Sequence, residues 1–558
     1  MPFGTPTAQA EPFRVPLRDG VRLHTQVYLP PSPARVPAVL IRTPYDTTHP
    51  DTLLPDIAAR LTEAGMAVVT QDVRGKIRSE GVPVPFTAET SDAWDTLEWI
   101  TGQPWSDGTV GCWGNSYYGC TAWAAATCGH PAVRALAARL TTTDIGGELA
   151  HRSGVFRLGP MAEWLTSTWA GRANLVPRLD WSVRPLARLL DHLPTGSWEL
   201  PPAAMGPHTA RRRTLAPDGV RRPGSRARAG ADAALDGLVR PVLHRAVARL
   251  AAGAGQRPGP LRRAPQYLIA TATDHHDDVL TAHGRSPDHL TDPLAREAML
   301  DRTLGPVIDF FRHHLCGGGG QLVPPPVRWQ GAGTRLRAAA SWPPPDAEVL
   351  RLHLTGARAA ATAGPEGGAL SPRPGTRHAP ALWDHDPADL VPATDGDWWR
   401  PLLALPDERT VERRPDVLTF TATAAHRPLQ LAGPARLVLP VTSTAAVSHL
   451  VVKLCDVAPD GTSRRILEAP YRMDTGGPSW HRAPVHLGDT GHRLETGHRL
   501  RVQVASSCFP LYLPHTAGPE HPWRVRHAAG SSQRLLTGGP DGACLELTVL
   551  PGTHTRPS

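Results

Sequence analysis

Up to residue 144 the chain alternates short continuous apolar runs with stretches of helical period. "RVPLRDGVRLHTQVYLP" reads as a hairpin turning at Asp19-Gly20. "VPAVLIRTP" and "MAVVTQDVRG" read as buried strands, "LLPDIAARLTEAG" as a helix ending on Gly65, and "SDAWDTLEWITGQ" as another helix. "GTVGCWGNSYYGCTAWAAATCG" reads as a strand, a sharp turn and a helix of small residues, and "VRALAARLTTT" as a further strand. Strands apolar on both faces, separated by helices, predict a mostly parallel sheet covered by helices.

From 145 to 235 this alternation stops. Trp164, Trp169, Leu186, Leu189 and Leu190 predict helices forming a cap over the sheet. "PQYLIATATDHHDD" returns to a buried strand that ends in a polar loop. "DPLAREAMLDRTLGPVIDFFRHHL" is helical and is stopped by Gly317 to Gly320, and the prolines at 324–326 mark a boundary. Beyond about 330 the period falls to two, in runs such as "VLRLHLTG", "ARLVLPVTST", "SHLVVKLCDV" and "HRLRVQVASS". Many short strands with Pro/Gly turns predict a β-sandwich or jelly roll. The expected fold class is therefore α/β with a helical cap and a C-terminal all-β domain. The expected division is 1–144 with 236–325 for the α/β domain, 145–235 for the cap and 326–558 for the β-sandwich.

Composition narrows the function classes. A chain of 558 residues can bury a large core without disulfides or metals. No apolar run reaches the roughly 18 residues of a membrane helix, and Met1 to Val15 lack the pattern of a signal peptide. A cytoplasmic protein with no membrane partner is the expectation. The seven cysteines include no C-x-x-C pair, so zinc spacing is absent and reduced thiols are expected. The net charge of +8 suggests nucleic acid at first, but residues 211–263 hold 13 Arg and 3 Asp, leaving 46 basic against 48 acidic residues elsewhere. That basic segment has no aromatic interleaving, so no nucleic-acid partner is expected. It reads either as a basic low-complexity loop or as GC-rich coding sequence out of frame, which yields the same Arg, Ala, Gly and Pro.

Gly114-Asn115-Ser116-Tyr117-Tyr118-Gly119 is the strongest chemical signal. It departs from G-x-S-x-G by one position, because Tyr118 stands where the second Gly belongs. An apolar strand before Ser116 and a small-residue helix after it fit a nucleophile elbow, which exposes the hydroxyl above the sheet. The Tyr117 backbone N–H would then face an oxyanion. A serine hydroxyl needs a base. His275, at the end of the run "YLIATATDHHDD", is the first choice and His276 the fallback.

These residues resemble the CocE/NonD family of serine hydrolases, which includes cocaine esterase, α-amino-acid ester hydrolases and X-Pro dipeptidyl-peptidases. The resemblance runs nearly end to end, through "RTPYD", "QDVRGKIRSEG", "QPWSDGTVGCWGNSYYG", "IDFFRHHL", "VVKLCDVAPDG" and "FPLYLP". It implies an α/β-hydrolase domain, a helical cap and a C-terminal jelly roll. It also implies Ser116 as nucleophile, His275 as general base, and the Tyr45 hydroxyl with the Tyr117 N–H as oxyanion donors. Asp72, Arg74 and Asp107 match family positions but read as structural. The family carries its triad acid in a G-W-x-D motif after a "PVLH"-like strand. Here "RPVLH" at 240–244 is followed by neither Gly-Trp nor Asp before Pro265. The acid is therefore unassigned, and residues 245–263, with a second patch at 209–230, read as out of frame or diverged. Asp274, Asp277 and Asp278 are the nearest substitutes. The implied function is hydrolysis of an ester or amide through an acyl-enzyme, without metal or organic cofactor. The narrower X-Pro dipeptidyl-peptidase activity needs an amine-binding site that the sequence does not locate. The alternative is an impaired or inactive homologue. The resemblance also allows a homodimer.

Overall fold

The computed structural model describes residues 10–32, 34–49, 52–169, 179–183, 186, 265–281, 284–317, 325–331, 334–356, 367–394, 397–403, 406–474, 479–518 and 525–552. The expected strand at 240–244, the segments 209–230 and 245–263, and the cap positions Leu189 and Leu190 lie outside them.

Six strands build the first sheet: β1 (Ala10–Pro16), β2 (Arg22–Tyr28), β3 (Val36–Thr43), β4 (Ala67–Asp72), β5 (Ser106–Asn115) and β6 (Val133–Arg139). Their order is β1-β2-β4-β3-β5-β6. In the β1–β2 hairpin, β2 pairs antiparallel with β4, and β4, β3, β5 and β6 are mutually parallel. Every residue of β3 and β4 is buried, as central parallel strands covered on both faces require. The crossovers are α1 (Leu54–Glu63), α2 (Glu89–Thr101) and α3 (Ser116–Thr127). Helix α1 packs one face together with the long helix that follows the cap, where Leu61, Met299 and Phe311 meet. Helices α2 and α3 pack the other, where Leu97, Ile100, Ala122 and Ala125 meet. Gly111 on β5 lets the long helix approach, since a Cβ there would stand 2.8 Å from Leu315 and 3.0 Å from Phe311.

The cap begins with a π-helical turn at Ile145–Ala150 and a short hairpin of His151–Arg152 with Val155–Phe156. Helix α4 (Leu158–Trp164) follows and continues as a π-helical turn to Trp169. Its apolar face, with Leu158, Met161, Leu165 and Trp169, packs on Val73 and Tyr117 beside the C-terminal end of the sheet. Helix α5 (Pro293–Leu315) is N-capped by Asp292, whose carboxylate accepts from the Leu294 and Ala295 N–H groups.

One expectation is corrected. The run before His275 is a strand only at Leu268–Ala270, and it is not buried: Leu268 and Ile269 are 43% and 42% exposed. It pairs in parallel with Val327–Trp329 in a separate three-stranded sheet, at whose edge it lies, so one flank has no strand neighbour among the described residues. That small sheet joins chain from both sides of the boundary expected at 325/326. The C-terminal part, from Glu348 to Val549, is a sheet of twelve described strands closing on one apolar core that includes Leu437, Leu450, Val485, Val502 and Leu545.

Candidate active site

Strand β5 ends at Asn115 and helix α3 starts at Ser116, with no residue between. The turn is made by holding Ser116 at φ 54°. A non-glycine residue there is strained by about 1–3 kcal/mol, a strain that is tolerated where the surroundings hold it. The glycines show how. A Cβ on Gly114 would stand 1.9 Å from the Tyr118 carbonyl oxygen, so the strand passes against the first turn of the helix. A Cβ on Gly119 would stand 2.8 Å from Thr141, just beyond β6. The close approach falls at 119, and Tyr118 is free to pack edge-on to Tyr45 and against Trp113. That accounts for the displaced glycine.

His275 Nε2 lies 2.8 Å from Ser116 Oγ, across 159 residues of sequence. With the imidazole proton on Nδ1, Nε2 accepts from the serine hydroxyl. His276 is not the partner: it is exposed, with its ring 6.0 Å from that of His275. Burial at the foot of the cavity pushes the His275 pKa down to about 4; the neighbouring His276, Arg157 and Arg139 add repulsion, and Asp277 opposes them.

The Tyr45 hydroxyl accepts from Trp164 Nε1 at 3.2 Å. Burial pushes its pKa up to about 12, against the opposing pull of hydrogen bonding to Trp164 and Ser116. It is thus a neutral donor beside the nucleophile. Its loop is fixed from below: Asp72 accepts from the Thr47 hydroxyl at 2.9 Å, and Arg78 bridges Asp72 and Asp46. Asp72 is therefore structural, as are Arg74, which pairs with Asp92 and Asp19, and Asp107, which accepts from the Thr109 N–H. Tyr117 is anchored by its phenol, which donates to Glu89 at 2.7 Å and accepts from the Phe86 N–H at 2.9 Å. Glu89 in turn pairs with the buried Arg42 at 3.1 Å. This network holds the backbone N–H that follows the nucleophile, and no local motif signals it.

Among the described residues no carboxylate lies within hydrogen-bond distance of His275 Nδ1. Asp277 pairs with Arg139. Asp278 is gripped by both arms of the Arg400 guanidinium, at 2.8 and 3.0 Å. Asp274 accepts from the His276 and Asp278 N–H groups; burial, with Asp278 adding to it, raises its pKa to about 6. None substitutes for the missing acid. The Trp399 ring packs near the imidazole, 5.0 Å from the His275 ring and tilted by 51°. Trp399 and Arg400 come from the C-terminal part and were invisible to motif reading. Ser116, His275, Tyr45 and Tyr117 line one cavity of about 1320 Å³ with Trp164, Trp398 and Trp399.

Comparison with known proteins fits this geometry. Residues 19–188 match the X-Pro dipeptidyl-peptidase (S15 family) model, and 323–534 match the X-Pro dipeptidyl-peptidase C-terminal non-catalytic domain. Cocaine esterase of Rhodococcus is 30% identical over 546 residues, covering 89% of this chain and 90% of the esterase. This chain belongs to the CocE/NonD, X-Pro dipeptidyl-peptidase-like family. It is a serine hydrolase of ester or peptide bonds. Two solved structures share the fold over 98% of both chains: an α-amino acid ester hydrolase (TM-score 0.73, 23% identity) and an aminopeptidase from a Thaumarchaeota archaeon (TM-score 0.71, 21% identity). Ser116 and Tyr45 fall within the first matched segment, and His275 falls between the two. Among the described residues no helix is long and apolar enough to cross a membrane.

Proposed function

We propose that the chain cleaves a small ester or amide by two-step acyl transfer. Ser116 attacks the carbonyl carbon while His275 Nε2 takes its proton, and the oxyanion is held by the Tyr45 hydroxyl and the Tyr117 N–H. The imidazolium then gives the proton to the leaving group, and water, deprotonated by the same nitrogen, releases the acid. The observation that carries this reading is the 2.8 Å contact between Ser116 Oγ and His275 Nε2 at a strained elbow. The test is fluorophosphonate labelling of the purified chain. Labelling should occur and should vanish in Ser116→Ala; a well-folded protein that does not label sinks the proposal.

A second reading, slow turnover by an impaired homologue, is favoured by the Nδ1 side of the imidazole, where no carboxylate among the described residues lies within hydrogen-bond distance. A triad acid orients the ring and stabilises imidazolium, and its loss lowers the rate by about 10⁴-fold while leaving residual catalysis. Under this reading labelling is slow rather than absent. Reading the encoding DNA in its other frames across residues 245–263 separates the two: a G-W-x-D-like string there would locate the acid outside the chain as written.

A further inference from the structure

The cavity wall carries three acidic and three basic side chains, but they do not all pair with one another. Asp46 is taken up by Arg78, and Asp277 by Arg139. Two arginines remain, both from the cap hairpin and its exit. Arg152 donates through both terminal nitrogens to backbone carbonyls, those of Glu468 at 2.6 Å and Leu487 at 2.8 Å, so its charge meets no carboxylate within 4 Å among the described residues. Arg157 heads helix α4, is half-buried and lines the cavity; among the described residues its guanidinium has no hydrogen-bond or ion-pair partner. Glu148, the acidic lining residue outside these pairs, is exposed, where solvent screens it. A partly desolvated guanidinium without a counter-ion is costly unless an anion completes it, and its planar fork fits a carboxylate.

We propose that Arg157 recognises a carboxylate on the substrate, so that the preferred ester or amide is anionic. This rests on the hydrolase reading above and narrows its substrate class. Arg157 and His275 line the same cavity, and the guanidinium adds to the repulsion that disfavours the imidazolium. The anion then also offsets that repulsion when His275 takes up the serine proton.

The test uses the full chain as Ser116→Ala, which cannot turn over, titrated by calorimetry with monoethyl glutarate and, as the neutral comparison, diethyl glutarate. The monoanion should bind at least about tenfold more tightly, the scale of one charge-assisted hydrogen bond pair. In Ser116→Ala with Arg157→Gln the preference should fall to within about threefold. Arg157→Lys should keep part of it, and added salt should shrink it. Equal binding of the two esters, no monoanion binding at about 10 mM, or a preference unchanged by Arg157→Gln overturns the proposal. Fluorophosphonate labelling of the wild-type chain reports on the hydrolase reading separately, so the two failures are distinguishable.

Discussion

Tyr45 and His275 face the same serine but are tuned in opposite directions by the same burial. Desolvation raises the phenol to about 12 and lowers the imidazole to about 4, so both are neutral at pH 7. A neutral phenol is suited to donate to an oxyanion. Tyr45→Phe removes one of two donors, and kcat should fall about 10²–10³-fold with KM nearly unchanged; a fall below tenfold would remove Tyr45 from the oxyanion site. A neutral imidazole is a ready acceptor, and among the described residues no acid stands behind Nδ1 to strengthen it as a base. Its folded pKa lies below the ordinary 6.5, so the base form persists as pH drops through 6 and 5. The acid limb of kcat/KM in the free enzyme should therefore fall near pH 4. A limb at about 6 to 7 would mean that a carboxylate reaches His275 in solution.

At the scale of elements, the loop bearing His275 is held from outside its own half of the chain. The Asp278 carboxylate is fully buried, and Arg400 grips it with two hydrogen bonds while also pairing with Asp288 at 3.0 Å. Arg400→Ala removes two hydrogen bonds from that buried carboxylate, leaving His289 Nδ1 at 3.9 Å, a loss of up to about 3–5 kcal/mol. The denaturation midpoint should fall and Ser116 labelling should slow; unchanged values of both would show that the clamp is dispensable. This contact also marks the limit of what the sequence discloses. β1 to β6, α1 to α3 and α5 were legible because each carries its own period, cap or breaker. Ser116 was legible because strand, turn and helix are contiguous, and Tyr45 because a resemblance named it. Glu89, Trp399 and Arg400 carried no such signal, since they reach the site only through packing between distant segments. The exposed strand at Leu268–Ala270 was misread for the same reason: an apolar run specifies a strand but not what covers it.

At the scale of the molecule, the C-terminal part touches the cap through the segment Cys508–Leu513. The Gly159 N–H donates to the Pro510 carbonyl at 2.8 Å, and the Leu513 N–H to that of Phe156 at 2.9 Å. At the end of this segment three buried histidines cluster: the His515 ring stacks on His385 at 4.1 Å and meets His449 at 5.3 Å. His385 Nε2 has no hydrogen-bond partner among the described residues. Burial lowers the pKa values of His385, His449 and His515 to about 4, 3 and 2, with mutual repulsion contributing at His449 and His515. The unfolded chain, with histidines near 6.5, binds more protons than the folded one at every pH between 6.5 and those values. The stabilisation is thus complete above pH 6.5 and is lost as pH falls below it, by at most about 1.4 kcal/mol per pH unit for each histidine. Thermal melts should show Tm dropping steeply from pH 6.5 to 5, and His385→Phe, which keeps the stacked ring and removes the proton site, should make that slope shallower. If the slope is the same in both proteins, the cluster is not what links acid to unfolding. If it is shallower and the rate of Ser116 labelling in acid is also better preserved, the cap's seat on the Cys508–Leu513 segment is what acid undoes first.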